Sequence, residues 1–419
     1  MLTYRKTTLS GVAAALLLGL LLFILTSSSR DSASASSLSL SSNHDALLDI
    51  QNSTLGFGAI LLLSLPSRTD RRDAITLIAD HTNITITNVI SGVRTDEVDE
   101  RAYPFGPGLK KMMTEQYHAY IGSWRSHMDL FRYIVENRIE TALVLEDDID
   151  WDIHVRSQLT SLAQALRTSP LRRPFSPHEM RHSPYGLDWD MIHFAASQVN
   201  VAPAPRDKAF LSYTDAYRAD IETVNNGCSN GYFCWKPLLR ATNAWTQSRV
   251  VVPTYDTVGL SSFAVTYSGA KRLLYHLSYK ELTDTLDRSI ATLFKDGELH
   301  GWSVVPPLMS EWKVDGKRDT NLRTQDPGRT IGSGNMKGHS AGLKWSVRKQ
   351  MAIDLEVDDY WENEKHYWSN VRVDAPKSDV AVDPVAGSLN VVPAVAAADS
   401  LAPAALAAAP PKEGAADSF

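Results

Sequence analysis

The chain has 419 residues, of which 43% are apolar and 9% aromatic, enough for a substantial core in one large domain or two ordinary ones. Its net charge of −6, with no long block of Lys or Arg, excludes the electrostatic footprint of a nucleic-acid-binding protein.

Arg5 and Lys6 precede 23 uncharged residues, 7–29, a length that crosses a bilayer as a tilted helix. The basic pair favours a cytoplasmic N-terminus, so residues 1–30 read as a cytoplasmic tail and uncleaved signal anchor of a single-pass type II protein. A cleaved signal peptide is the alternative, with Ala33, Ser34 and Ala35 as the small residues at the cut. Residues 31–55 are Ser-rich and read as a stem. Two sequons fit luminal exposure, Asn52-Ser53-Thr54 and Asn83-Ile84-Thr85; the first is favoured because Asn83 opens a predicted strand. Cys228 and Cys234 lie six positions apart in a Gly/Asn-rich loop, as a short disulfide or as two thiols.

The folded domain is expected over residues 56–373. A continuous apolar run at 57–65 predicts a buried strand ended by Pro66, and a helix follows with Ser67 as its cap and Ile75, Ile78 and Ala79 on one face. A second strand is predicted at 84–90, then a turn-rich loop over 93–108. Residues 116–137 form a long amphipathic helix, with Tyr120, Ile121, Trp124, Met128, Phe131, Ile134 and Val135 at three- and four-residue spacing. That helix leads into an apolar strand at 142–145, so strand and helix alternate as they do in parallel sheets with right-handed crossovers. Helix is predicted at 154–167, 268–279 and 284–294, and strand at 189–195, 261–266 and 302–308, the last broken by Pro306-Pro307. Residues 197–257 lack a period and read as a lid or acceptor-binding region. From residue 374 onward Ala, Pro and Val dominate, predicting a disordered tail.

The strand at 142–145 runs without a break into Glu146, Asp147, Asp148 and Asp150. Ligands of open α/β sheets bind at the carboxyl ends of the strands, and carboxylates crowded there repel one another unless a cation compensates them. Oxygen-only donors favour magnesium or manganese, held by one or two carboxylates together with substrate phosphates. A solvated acidic loop, with Asp150 and Asp152 capping the next helix, is the competing reading.

Three segments resemble glycosyltransferase family 25, which includes bacterial lipooligosaccharide galactosyltransferases and procollagen galactosyltransferases. They are ILLLSLPSRTDRRD, then YIGSWRSHMDLFRYIVEN followed by ALVLEDDIDW, then SSFAVTYSGAKRLL with LDRSIATLF downstream. The resemblance spans roughly residues 56–312. Ser64 stands where many members have Asn, and residues 168–257 are longer than the bacterial pattern.

The resemblance implies a GT-A type, Rossmann-like α/β fold with a mostly parallel sheet. It implies an inverting transfer of a hexose, galactose or glucose, from a UDP-sugar donor to a hydroxyl of a glycan or glycoprotein acceptor, in the Golgi or endoplasmic reticulum. A divalent cation, Mn2+ or else Mg2+, would neutralise the departing diphosphate. Asp148 is the expected metal ligand, paired with Glu146 and supported by Asp147; Asp148 with Asp150 is the alternative pair. Arg68, Arg71 and Arg72 follow the first strand and could reach the diphosphate or the acids. Ser126 and His127 match the family's Ser-His and are expected on the donor side. Asp287 matches the family's downstream Asp and is the candidate base that deprotonates the acceptor, with Asp284 as its rival. Two functions compete with this one. An inactive luminal binding or scaffold protein would keep the acids as a structural site, and a glycoside hydrolase would set its two acids on opposite sides of a sugar.

Overall fold

The computed structural model describes residues 44–200, 209–220, 239, 247–314, 321–322, 338–340, 342–355 and 390–393. The expected anchor at 7–29, the first part of the stem, Cys228 and Cys234, and most of the tail lie outside the described residues. Among the described residues, no helix is long and apolar enough to cross a membrane.

In chain order the elements are β1 (Ala59–Ser64), α1 (Thr69–His81), β2 (Asn88–Ser91), α2 (Pro107–Met112), α3 (Ala119–Glu136), β3 (Thr141–Glu146), β4 (Ile149–Trp151), α4 (Val155–Thr168) and α5 (Pro177–His182). They continue with β5 (Met191–His193), β6 (Gln198–Asn200), β7 (Ala209–Thr214), β8 (Ser248–Pro253), β9 (Asp256–Val258), β10 (Ser262–Thr266), α6 (Tyr267–Leu274) and α7 (Leu286–Lys295). The last are β11 (Gly301–Val305), β12 (Met309–Val314), β13 (Gly338–Ser340), α8 (Val347–Asp354) and β14 (Asn390–Pro393).

One nine-stranded sheet, in the order β14-β7-β8-β11-β5-β10-β3-β1-β2, carries the fold. β2, β1 and β3 are parallel, as are β5 and β11, while β10 is inserted between β3 and β5 antiparallel to both. With the antiparallel pairings of β8, β7 and β14 added, six of the nine strands point one way, the direction expected from sequence, and β10, β8 and β14 oppose it.

The apolar runs of β1 and β3 do not alternate because both faces are covered. Ile60, Leu62, Leu143 and Leu145 pack with Ile75 and Ile78 of α1 and Leu159 and Leu162 of α4. Ala59, Leu61, Leu63, Ala142 and Val144 pack on the other face with Trp124, Met128 and Phe131 of α3, Leu273 of α6 and Ile290 of α7. The fully buried Trp124 satisfies its indole by donating to the Leu277 carbonyl at 2.9 Å. A second sheet, β13-β12-β4, stands beyond the end of β3 and frames the acidic turn.

Several boundaries differ from expectation, each for a local reason. The folded body starts at Ala46, ahead of Gly56, because Ala46 and Ile50 of a short 3-10 turn are fully buried. The strand expected at 84–90 shrinks to β2. Asn83 is exposed in a left-handed turn at φ 52°, and Ile84 and Thr85 donate their N–H groups to Ala79 and Ser53, which draws this stretch off the strand ladder until Thr87 rejoins β1 through the Ile60 carbonyl. Both sequon asparagines are therefore exposed in turns. Ser67 does not cap α1; Arg68 precedes the helix and its guanidinium holds Asp70 of the first turn. Pro306 and Pro307 cut the strand expected at 302–308, and β12 resumes in the second sheet. Within the tail, Asn390–Pro393 forms the edge strand beside β7.

The Pro- and Arg-rich insertion at 169–185 contains α5, which begins with a capping box. Ser176 Oγ accepts from the Glu179 N–H, and Glu179 returns the bond to the Ser176 N–H at 2.7 Å. Arg173 donates twice to the same carboxylate, at 2.6 and 2.8 Å, and the Leu187 N–H donates at 2.7 Å. Burial alone would raise the pKa of Glu179, but these donors outweigh it and hold it at about 2, against an ordinary value of 4.5. A lowered folded-state value gives stability that is present above about pH 4.5 and is lost as the pH falls toward 2. Glu179→Gln should therefore cost about 2–3 kcal/mol near neutrality. Urea unfolding at a series of pH values should show the deficit shrinking toward pH 2; an equal deficit at every pH would rule the carboxylate out.

Candidate functional site

β3 ends at Glu146, and a tight turn through Asp147 and Asp148 passes the chain out of the main sheet into β4. The turn is fixed from two sides. The Glu146 N–H donates to the Ser261 carbonyl at 2.9 Å, and the Trp312 N–H of β12 donates to the Asp148 carbonyl at 2.7 Å.

Of the three arginines after β1, only Arg71 reaches the acids. Its NH1 lies 2.5 Å from Asp147 Oδ1 and 2.9 Å from Asp148 Oδ2. Arg72 instead bonds the hydroxyl and carbonyl of Ser64 at 3.1 and 3.0 Å, bracing the end of β1 where the family's Asn would stand. Arg68 is bound to Asp70 and to the side chain of Asn321. Arg71 therefore joins the candidate site, and Arg72 and Arg68 support its frame.

Asp150 is not at the site's mouth. It is fully buried; Oδ1 accepts from the Trp151 N–H at 2.9 Å, and Oδ2 accepts the hydroxyls of Ser340 at 2.7 Å and Ser346 at 2.6 Å. A carboxylate so supplied with donors ties β4 to β13 and to the cap of α8, so the Asp148–Asp150 pairing gives way to a structural role for Asp150.

A fourth acid takes its place. Glu311 of β12 accepts the Ser261 hydroxyl at 2.7 Å and shares the electrostatic field of Glu146 and Asp148. Burial, and then the charges of Asp148, Glu311 and Asp147, push the Glu146 carboxyl well above the usual range, with Arg71 opposing. A third of the Glu146 side chain is exposed, so solvent moderates the size of that rise and leaves its direction. Glu311 and Asp147 are pushed up in the same way, by burial first and by Asp148 next among the neighbouring acids. Nothing in the Ser310-Glu311-Trp312 stretch marks it as functional. The signal lies in the antiparallel pairing of β12 with β4, which sets Glu311 opposite Ile149.

His127 projects from α3 toward this cluster and is buried. Its Nδ1 bonds the Ser123 carbonyl one turn back at 2.9 Å, and its Nε2 has no hydrogen bond and lies 3.8 Å from Glu146 Oε1. Burial lowers its basicity, opposed by the bond to the Ser123 carbonyl and then by the charge of Asp287; since a carbonyl only accepts, Nδ1 carries the hydrogen. Ser126 is spent elsewhere: its hydroxyl donates to the Gly122 carbonyl at 2.7 Å and accepts from the Val93 N–H at 2.8 Å. Gly122 lets that loop lie against the helix, since a Cβ there would collide with the Val93 carbonyl.

The two downstream acids part company. Asp284 is bound to Lys111 Nζ at 2.5 Å and to the Thr285 N–H, and although burial would raise it, these donors hold it below the usual carboxylate range. Asp287, in the first turn of α7, uses only Oδ1, for the Thr285 hydroxyl and the Arg288 N–H, and its charge reaches His127.

A divalent cation fits this donor set. Asp148 Oδ1 is buried without a hydrogen-bond partner, beside carboxyls whose ionisation is opposed by their neighbours. Among the described residues, no three His, Cys, Asp or Glu side chains stand close enough to cage a metal by themselves. The arrangement suits an ion that completes its shell with ligand oxygens and water.

Residues 57–185 match glycosyltransferase family 25 (LPS biosynthesis protein). The match runs from the start of β1 past the acidic turn, and it bears out the family resemblance read from the Arg-rich turn, the Ser126-His127 helix and the Glu146-Asp147-Asp148 run. Procollagen galactosyltransferase 1 of Danio rerio is 22% identical over 166 residues, which cover 37% of this chain and 24% of that protein. Procollagen galactosyltransferase 2 of Mus musculus is 22% identical over 172 residues, 40% of this chain and 25% of that protein. Procollagen galactosyltransferase 1-B of Xenopus laevis is 24% identical over 157 residues, 35% and 22% respectively. The chain spans about a quarter of the length of these curated relatives.

The contrast between the two acids of the turn and β4 can be measured as stability. Asp150→Asn leaves one acceptor oxygen and one NH2 group facing three donors, so at least one buried donor loses its partner, and it should cost about 2–3 kcal/mol. Asp148→Asn relieves repulsion on Glu146 and should change metal-free stability by less than about 1 kcal/mol. Denaturant unfolding in EDTA tests the pair, and equal losses would return both acids to one class.

Proposed function

We propose that this chain is an inverting glycosyltransferase of GT-A type that moves a hexose, galactose or glucose, from a UDP-sugar to a hydroxyl of a glycan or glycoprotein. One observation carries the reading: the matched segment ends β3 in Glu146-Asp147-Asp148, where Glu311 joins and Asp148 Oδ1 is buried without a partner. The relatives' names point to galactose and to a procollagen-like glycoprotein as acceptor. A glycoside hydrolase needs separated carboxylates, whereas these acids are bunched around one turn.

Asp148, paired with Glu146 and with the carboxyl of Glu311 in the same field, would hold Mn2+ or Mg2+ together with donor oxygens and water. Bound there with the donor diphosphate, the ion would neutralise the charge that builds on the leaving UDP. Arg71, already bridging Asp147 and Asp148, holds the turn in shape and adds a positive charge beside the diphosphate. The acceptor hydroxyl oxygen attacks the anomeric carbon, the bond from that carbon to the diphosphate oxygen breaks, and the hydroxyl proton passes to Asp287. One displacement inverts the anomeric centre, so a single base and no covalent nucleophile suffice. Asp287 fits that role better than Asp284, because Oδ2 of Asp287 is unengaged among the described residues while Asp284 is locked to Lys111. The 7–29 segment would anchor the enzyme in the Golgi or endoplasmic reticulum membrane, with the domain in the lumen.

UDP release by the purified chain, with UDP-galactose and UDP-glucose as donors and Mn2+ present or removed by EDTA, tests the function. Turnover should need the metal; no turnover of either donor with collagen-like or glycan acceptors would leave the inactive binding protein as the better reading. Asp287→Asn should lower transfer by roughly 10²- to 10⁴-fold while UDP affinity stays within about twofold. Asp284→Asn should keep most of the transfer rate, and the reverse ranking would hand the base role to Asp284.

A further inference from the structure

The segment that leads into α8 folds back along the whole of β4. The Ile153 N–H donates to the Trp345 carbonyl at 3.0 Å, the Trp345 N–H donates to Asp152 Oδ2 at 3.0 Å, Asp152 and Ser346 form a β-bridge, and Ser346 Oγ donates to Asp150 Oδ2. Arg348 is the next contact in this series. Its NH2 donates to the Ile149 carbonyl at 2.9 Å, and its guanidinium lies over the Trp312 ring, 5.5 Å from the centroid. Trp312 is also the residue whose N–H fixes the Asp148 carbonyl.

Arg348 is 9% exposed, and its Nε has no hydrogen-bond partner. A buried guanidinium with no carboxylate in salt-bridge contact among the described residues is a costly feature, and α8 could have filled the space with an apolar side chain. Burial lowers its pKa; the charges of Asp150, Asp148 and Asp147 oppose that drop, and Arg71 adds to it. Arg71 and Arg348 thus flank the acidic turn. The first sits on its carboxylates, and the second lies behind its backbone.

We propose that Arg348 is a positioning residue that acts as a built-in counter-cation for the Asp147–Asp148 turn: it holds the crowded acids in place before a divalent ion arrives, and it weakens that ion's binding by its own charge. The proposal rests on the cation reading above. It lies outside residues 57–185, where the family match runs. Its consequence has a sign that a packing role lacks. Loss of the charge destabilises the metal-free protein and tightens the metal, because the turn then carries more uncompensated negative charge.

The test uses the full chain and two substitutions. Arg348→Gln keeps a donor for the Ile149 carbonyl and removes the charge; Arg348→Lys keeps the charge. Mn2+ affinity is measured by titration in the presence of UDP, and Tm in EDTA and in Mn2+. Arg348→Gln should lower Tm in EDTA, bind Mn2+ roughly tenfold more tightly and gain more Tm from Mn2+ than the parent chain does. Arg348→Lys should bind Mn2+ within about twofold of the parent. Unchanged or weaker Mn2+ binding by Arg348→Gln overturns the proposal and leaves Arg348 as support for Asp150 alone. A tenfold change in Arg348→Lys also overturns it, even where Arg348→Gln does not fold. A parent chain that binds no Mn2+ with UDP present removes the cation reading itself, an outcome separable from the other two.

Discussion

Negative charge crowded at the end of one buried strand is the constraint on which the rest of this structure depends. Glu146, Asp147 and Asp148 follow β3 with no polar spacer, and β3 is held rigidly between β1 and β10. Such a cluster cannot be dispersed by moving the strand. It is compensated by what is brought to it: Arg71 from α1, a backbone donor from β12, the Ser261 hydroxyl on Glu311, and the segment at 345–348 laid along β4. The small sheet β13-β12-β4 is the device that gathers them, since each of its strands contributes a contact to the turn or to Asp150.

Much of this frame was legible in the sequence because it depends on local pattern. Uninterrupted apolar runs at β1 and β3 announce strands covered on both faces, and the three- and four-residue period of α3 announces the helix between them. The direction of β10 was not legible. Its residues, Ser262–Thr266, read like those of any buried strand, and only the route of the chain before it decides that it runs against β3 and β5. The site shows the same division. The acids of the turn and Arg71 stand in short motifs, whereas Glu311 and Arg348 arrive by pairings that join positions far apart in the chain.

Asp150 shows how a local rule misleads. Two-residue spacing from Asp148 suggests a shared direction and a shared ion. The turn at Asp147–Asp148 breaks that periodicity, so Asp150 belongs to a new strand whose inward face is closed by Ser340 and Ser346. With three donors on its oxygens it is chemically complete, although burial, the first influence on it, still raises its pKa.

Two glutamates, Glu179 buried and Glu146 half-buried, make the closing distinction. Glu179 and Glu146 carry the same group and are both set against burial, yet Glu179 is held at about 2 while Glu146 is driven above the usual range. The difference is the supply of donors. Glu179 meets two guanidinium N–H groups and two backbone N–H groups, and its negative charge becomes a structural bond. Glu146 meets other carboxylates, a bare His127 nitrogen and one opposing arginine, so its charge has no hydrogen-bond donor among the described residues. A fold that satisfies a buried glutamate so fully in a surface segment, and leaves a half-buried one so poor in donors at the rim of its main sheet, has a closed structural contact in the first place and, in the second, the uncompensated carboxyls on which the proposed cation binding rests.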